Sequence, residues 1–232
     1  MKKILLLLSA ALLGLVVLAG VSHIPRHRKP ATFQEKTSHL ITFLDKNGKD
    51  DTTCTATAIG PHALLTALHC DEDGSSKVLK VDLSMTKYHI LTGITDNRDH
   101  LILLLDGPEF KNLVKEESLI SPAPPRVGEK YFAYGHGNDY VFARQYSGVL
   151  DTERTAEEVS DVDLAEEARY FTIPAIGGDS GTAIFGSDGR IVGLISYSTS
   201  TGCEAFGLNF NPRAIQIAER FSVELLLTDS GR

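Results

Sequence analysis

Short apolar runs rich in β-branched residues recur along the chain and fall into two sets of six. The first set covers residues 40–44, 54–59, 63–67, 78–83, 88–94 and 101–105, and the second 131–134, 141–150, 170–173, 182–185, 191–197 and 205–210. Runs this short, bounded by turn formers such as Asp45-Lys46-Asn47-Gly48, Gly60-Pro61 and Ser187-Asp188-Gly189, read as strands. The pattern predicts an all-β protein in two halves, 31–121 and 122–232. Pro122-Ala123-Pro124-Pro125 marks the crossing, because successive prolines cannot donate to a ladder. One helix is expected near the C-terminus. Asn211 can cap it, Pro212 suits its first position, and Ala214, Ile215, Ile217, Ala218 and Phe221 line one face. The two halves show no internal sequence repeat.

Ahead of the strands, Lys2 and Lys3 precede seventeen residues, Ile4 to Gly20, in which Ser9 is the single polar side chain. Residues 1–30 are therefore expected to be an export signal or a membrane anchor. Val17 and Ala19 offer a small-residue cleavage site, whereas Arg26, Arg28 and Lys29 favour retention. Either outcome implies a folded part outside the cytoplasm, secreted, periplasmic or membrane-anchored.

The length of 232 residues and the hydrophobic content of 42% exclude disordered and fibrous classes. The net charge of −7 sits in one place: residues 151–168 hold eight acids against Arg154 alone, and the remainder balances. A neutral body has no field to attract a polyanion, so a nucleic-acid partner is not expected. The acidic segment lacks the EF-hand ligand spacing and reads as a solvated loop, with neither metal nor cofactor expected. Cys54 and Cys70 lie 16 positions apart around a hairpin and could pair; three reduced, buried cysteines are the alternative.

Chemistry concentrates at Gly177-Gly178-Asp179-Ser180-Gly181. A serine attacks a carbonyl only with a base to take its proton and backbone N–H groups to hold the developing oxyanion. On its own the motif is equally consistent with a polar tight turn. All eight histidines precede Ser180, which excludes the α/β-hydrolase order, and Thr182 breaks the Gly-x-Ser-x-Gly elbow. Among them His69 stands at the end of an apolar run, in Leu65-Thr66-Ala67-Leu68-His69-Cys70. His136, in a glycine-rich turn, is read as structural.

These motifs resemble the trypsin-like, chymotrypsin-fold serine peptidases, whose signatures are Thr-Ala-x-His-Cys and Gly-Asp-Ser-Gly. The resemblance covers most of the chain after the leader. It implies two antiparallel six-stranded β-barrels packed face to face, followed by the C-terminal helix, with a cleft between the barrels. It implies a serine endopeptidase acting on polypeptides through His69, Asp99 and Ser180 and an acyl-enzyme. Asp99 precedes the apolar run of Asp99-His100-Leu101-Ile102-Leu103-Leu104, and Asp96 and Asp106 are the alternative acids. The resemblance places the oxyanion donors on Gly178 and Ser180 and pairs Cys54 with Cys70, leaving Cys203 free. It puts the specificity pocket at Pro174 and Ala175, with walls from Ser196, Tyr197, Ser198 and the vicinity of Gly207. With no acid at that base, an apolar or small residue is expected before the scissile bond. An inactive binding protein of the same fold, or an esterase using the same triad, are the competing readings.

Two features depart from the family. No Ile-Val-Gly-Gly start occurs near residue 35, so Asp179 is expected to find another partner than a chain-terminal amine or to stay solvated. The acidic segment joins two strands of the second half, where it is a candidate rim of the cleft.

Overall fold

The computed structural model describes residues 32–71, 74–83, 86–96, 98–111, 119–151 and 168–221. The leader and most of the acidic segment, residues 152–167, lie outside the described residues. Among the described residues no helix is long and apolar enough to cross a membrane.

The first six strands are β1 (Ser38–Leu44), β2 (Asp50–Gly60), β3 (Ala63–Thr66), β4 (Val78–Val81), β5 (Lys87–Thr95) and β6 (Leu101–Asp106). They close into an antiparallel barrel in the order β1-β2-β3-β6-β5-β4. The second six are β7 (Lys130–Gly135), β8 (Arg144–Asp151), β9 (Ala168–Phe171), β10 (Ala183–Phe185), β11 (Ile191–Ser198) and β12 (Cys203–Phe206). Read from β7, their barrel runs β7-β8-β9-β12-β11-β10, the same order as the first. The halves thus repeat in topology, although the sequence carries no repeat. Closure leaves no free sheet edge. The acidic segment connects β8 to β9.

Strand β6 shows why its sequence is apolar at every position. Leu103 and Leu105 point into the first barrel, with Ile41, Phe43, Leu64 and Leu79. Ile102 and Leu104 point the other way, into a cluster shared with Phe185, Leu194 and Phe210 of the second half. A strand buried on both faces loses the usual alternation. Burying each such leucine stabilises by roughly 1.5–3 kcal/mol. The second barrel fills separately with Tyr131, Phe171, Ile173, Ile184 and Ile195.

Several boundaries differ from expectation, among them β2, which starts at Asp50, and β9, which spans Ala168–Phe171; two of the shifts have a visible cause. The sixth run of the second half was expected at 205–210, but β12 spans Cys203–Phe206, and the chain then leaves the ladder so that Asn209 N–H meets the Asp96 carboxylate at 2.8 Å. Strand β8 begins at Arg144 rather than 141, because its partner Gly135 ends β7. A short helix α1 (Phe33–Thr37), capped by the Thr32 hydroxyl accepting from Glu35 N–H, is too brief to leave a periodic trace.

The C-terminal helix α2 (Pro212–Arg220) forms as read, with Asn211 Oδ1 accepting from Arg213 N–H at 2.8 Å. It packs on β2 of the first barrel. A Cβ on Gly60 would lie 2.3 Å from the Ala218 carbonyl, so only glycine permits this approach. The buried face is narrower than expected: Ala218 and Phe221 are buried, but Ile217 is half exposed.

Candidate active site

His69 and Asp99 meet because their strands are neighbours. β3 pairs with β6, placing Thr66 opposite Leu101, so the turn after β3 and the loop before β6 emerge side by side. His69 sits in a single 3-10 turn, Leu68–Asp71, that follows β3. There Leu68 N–H donates to the Asp99 carbonyl at 3.2 Å and His69 N–H to Asp99 Oδ1 at 2.9 Å. Asp99 Oδ2 lies 2.7 Å from His69 Nδ1. A carboxylate only accepts, so the Nδ1 proton is the one held there and Nε2 is left for other work. Burial alone would raise the Asp99 carboxyl. The hydrogen bond and charge of His69 outweigh it and hold Asp99 below its ordinary value. The Cys54–Cys70 disulfide bridges β2 to the turn beside His69, as the resemblance implied.

Ser180 stands on the loop between β9 and β10. The Ser180 carbonyl accepts from Thr55 N–H of β2 at 2.9 Å, and its hydroxyl Oγ lies 3.5 Å from the Ser196 carbonyl of β11. Gly181, at φ 81°, presses so close to the first barrel that a Cβ would fall 2.4 Å from the Thr55 carbonyl and 2.7 Å from Ala67 N, two residues before His69. The serine loop is thereby docked onto the sheet that carries His69.

The same loop is shaped by the turn after β7. His136, Gly137 and Asn138 offer three successive N–H groups: to Thr55 Oγ1 at 3.0 Å, to Asp179 Oδ1 at 2.7 Å and to the Gly177 carbonyl at 2.8 Å. The Thr55 hydroxyl in turn donates to the Gly178 carbonyl at 3.0 Å. A trans peptide sends its N–H opposite to its carbonyl, so fixing Gly177 C=O fixes the direction of Gly178 N–H. Gly178 adopts φ 90°, a conformation glycine reaches without strain. Among the described residues neither Gly178 N–H nor Ser180 N–H is taken by another group of the chain.

Asp179 is fully buried. Its partners among the described residues include Gly137 N–H and, at 2.9 Å, Ile176 N–H, so it is not solvated. Burial raises its carboxyl above the ordinary value, with the two N–H groups opposing that rise. Beside it the Tyr146 hydroxyl is pushed up to about 12, first by burial and then by the Asp179 charge. His136 is structural in its contacts: buried, its Nδ1 donates to the Tyr140 carbonyl at 2.7 Å.

The expected specificity residues separate. Tyr197, 41% exposed, stacks its ring on the His69 imidazole at 5.7 Å and 15°. Ser196 is buried, Ser198 and Pro174 are exposed, and Ala175 packs into the core of the second barrel. Gly207 lies elsewhere, because the register puts Cys203 opposite Ser198 and leaves Gly207 past the far end of β12. There its carbonyl accepts from the Arg98 guanidinium, and it borders a cavity of about 370 Å³ with Arg169 and residues 121–125. Cys203 is a buried free thiol. Asp96, weighed as an alternative acid, instead contacts His100, and Asp106 closes β6 facing solvent. Sequence reasoning missed Thr55 and the 136–138 turn; the one signal was the glycine spacing of Gly135-His136-Gly137.

Two like-wound barrels with a His–Asp pair on one and a serine in a glycine turn on the other define a chymotrypsin-fold serine hydrolase. Residues 31–211 match the sequence profile of the family described as Trypsin, and the chain belongs to that family of serine endopeptidases. Solved structures agree on the fold. The active form of the Rv3671c protease from M. tuberculosis superposes with a TM-score of 0.59 at 15% identity, covering 82% of this chain and 83% of that one. The HtrA-type protease AlgW, solved with a tripeptide, gives 0.57 at 15% identity, covering 79% of this chain and 60% of its own. A comparison with curated protein sequences returns no match.

Proposed function

We propose that this chain is an exported or membrane-anchored serine endopeptidase that cleaves peptide bonds through Ser180, His69 and Asp99. The observation that carries the reading is the double contact of Asp99 with His69, through backbone N–H and Nδ1 together, beside a serine loop with two uncommitted N–H groups. Asp99 holds the Nδ1 proton and stabilises the imidazolium as it forms. His69 Nε2 takes the Ser180 hydroxyl proton while Oγ attacks the carbonyl carbon. The electron pair moves onto the carbonyl oxygen, which Gly178 N–H and Ser180 N–H receive. Collapse expels the amine with the proton from Nε2 and leaves an acyl-enzyme, and water repeats the sequence to free the acid. Tyr197, over the imidazole, would line the site of the residue preceding the cleaved one. With Pro174 exposed, Ala175 in the barrel core and no acid at either, an apolar or small residue is the reading for the position before the scissile bond.

A fluorophosphonate probe tests the reading. Folded wild type should label at one serine and Ser180→Ala should not; wild type that stays unlabelled would leave a binding protein of this fold. Ester turnover without peptide cleavage would move the assignment to an esterase.

A further inference from the structure

A second His–Asp pair flanks the first. Asp96 and His100 stand three residues before and one residue after Asp99, and the side chains of both are fully buried. Asp96 Oδ2 lies 2.7 Å from His100 Nδ1 and accepts from Asn209 N–H of the second half at 2.8 Å. Asp96 Oδ1 accepts from Arg98 N–H at 3.0 Å. His100 N–H donates to the Arg98 carbonyl at 2.8 Å, and the His100 ring meets Phe206 and Phe210, both beyond β11 in the second half. The Arg98 guanidinium reaches across to the Gly207 carbonyl. The loop bearing Asp99 is therefore tied at both ends, and each tie crosses to the other barrel.

We propose that Asp96 and His100 are positioning residues, which act by holding Asp99 at its two-point contact with His69; this rests on the triad reading above. A buried polar pair contributes little net stability compared with well-packed apolar residues, so stability alone does not account for one here. What the pair supplies is direction. Asp96 uses both oxygens on three donors from two barrels, and so fixes the loop in all three dimensions. His100 Nε2 meets no acceptor among the described residues, so a single hydrogen bond, to Asp96, sets the ring. Asp99 in turn stays within 2.7–2.9 Å of both His69 groups only while its loop keeps this shape.

His100→Leu and Asp96→Asn test the proposal, with the fold checked by circular dichroism. A displaced catalytic group costs up to about 10²-fold, so kcat should fall roughly 10- to 100-fold while KM stays within about twofold. Low-field proton NMR supplies a readout that folding alone does not move. Beside any signal from His39, whose Nδ1 meets Asp82 at 3.1 Å, wild type should show carboxylate-bound imidazole N–H resonances from His69 and His100. His100→Leu should remove one and shift or broaden the other. If His100→Leu does not fold, Asp96→Asn, nearly identical in shape, carries the same two measurements. A folded variant with wild-type kcat and an unmoved His69 resonance overturns the proposal. If the fluorophosphonate fails on wild type, the triad reading falls, and the His69 resonance still decides whether Asp96 and His100 position Asp99.

Discussion

The Asp179 carboxylate sits on the backbone N–H of Gly137, at 2.7 Å. A Cβ on Gly137 would lie 2.8 Å from Asp179 Oδ2 and 2.4 Å from Ile176 Cγ1, so the contact exists only because residue 137 has no side chain. The turn after β7 thus holds the Asp179 carboxylate and, through Asn138 N–H on the Gly177 carbonyl, directs the peptide that carries Gly178 N–H.

Gly137→Ala should accordingly displace the serine loop. Loss of one oxyanion donor costs about 10²–10³ in kcat, and a fall of that order is expected with the fold retained. Steady-state kinetics beside circular dichroism checks it. Activity within twofold of wild type would show that the turn does not shape the site.

Removing the Cys54–Cys70 bridge should lower stability without changing the fold. The bond closes a loop of sequence separation 16. Such a loop is worth about 3 kcal/mol, or roughly 10 °C in Tm for a unit of this size. Calorimetry of Cys54→Ala/Cys70→Ala measures this. Activity should fall with it, since Cys70 adjoins His69.

Cys203 should resist alkylation in the native protein. Burial raises its thiol first, and the charges of Asp179 and Glu204 add to that. A thiolate is the reactive form, so iodoacetamide should modify Cys203 only after unfolding. Rapid labelling under native conditions would contradict its burial beside Ser198.

Stability should depend on pH through aspartates of opposite sense. Asp96 and Asp99 are held below their ordinary 3.8: burial opposes this, and His100 and His69 respectively overcome it. Their contribution is present above 3.8 and is lost as pH falls through the lowered values. Asp179 is raised, so its contribution is present below 3.8 and is lost as pH rises through the raised value. Urea midpoints across the acidic range should therefore fall less steeply on the acid side for Asp99→Asn than for wild type. Parallel curves would mean that the Asp99–His69 pair contributes nothing to acid stability.

Much of this protein was legible in its sequence. The apolar runs located twelve strands, because a strand half-buried in a barrel must alternate or, like β6, be apolar throughout. Asn211-Pro212 marked the helix start, since capping is local chemistry. His69 stood out at the end of an apolar run and Ser180 in its Gly-Asp-Ser-Gly motif, while Asp99 followed from the family resemblance. The tertiary structure decided the rest. Gly207 left the expected pocket wall because register is set by pairing across β11 and β12, which spacing does not encode. Thr55, the 136–138 turn and the Asp96–His100 pair act through contacts between residues 42 to 123 positions apart. Backbone N–H groups carry no residue signature, so a site built from them becomes visible only when the two barrels are packed together.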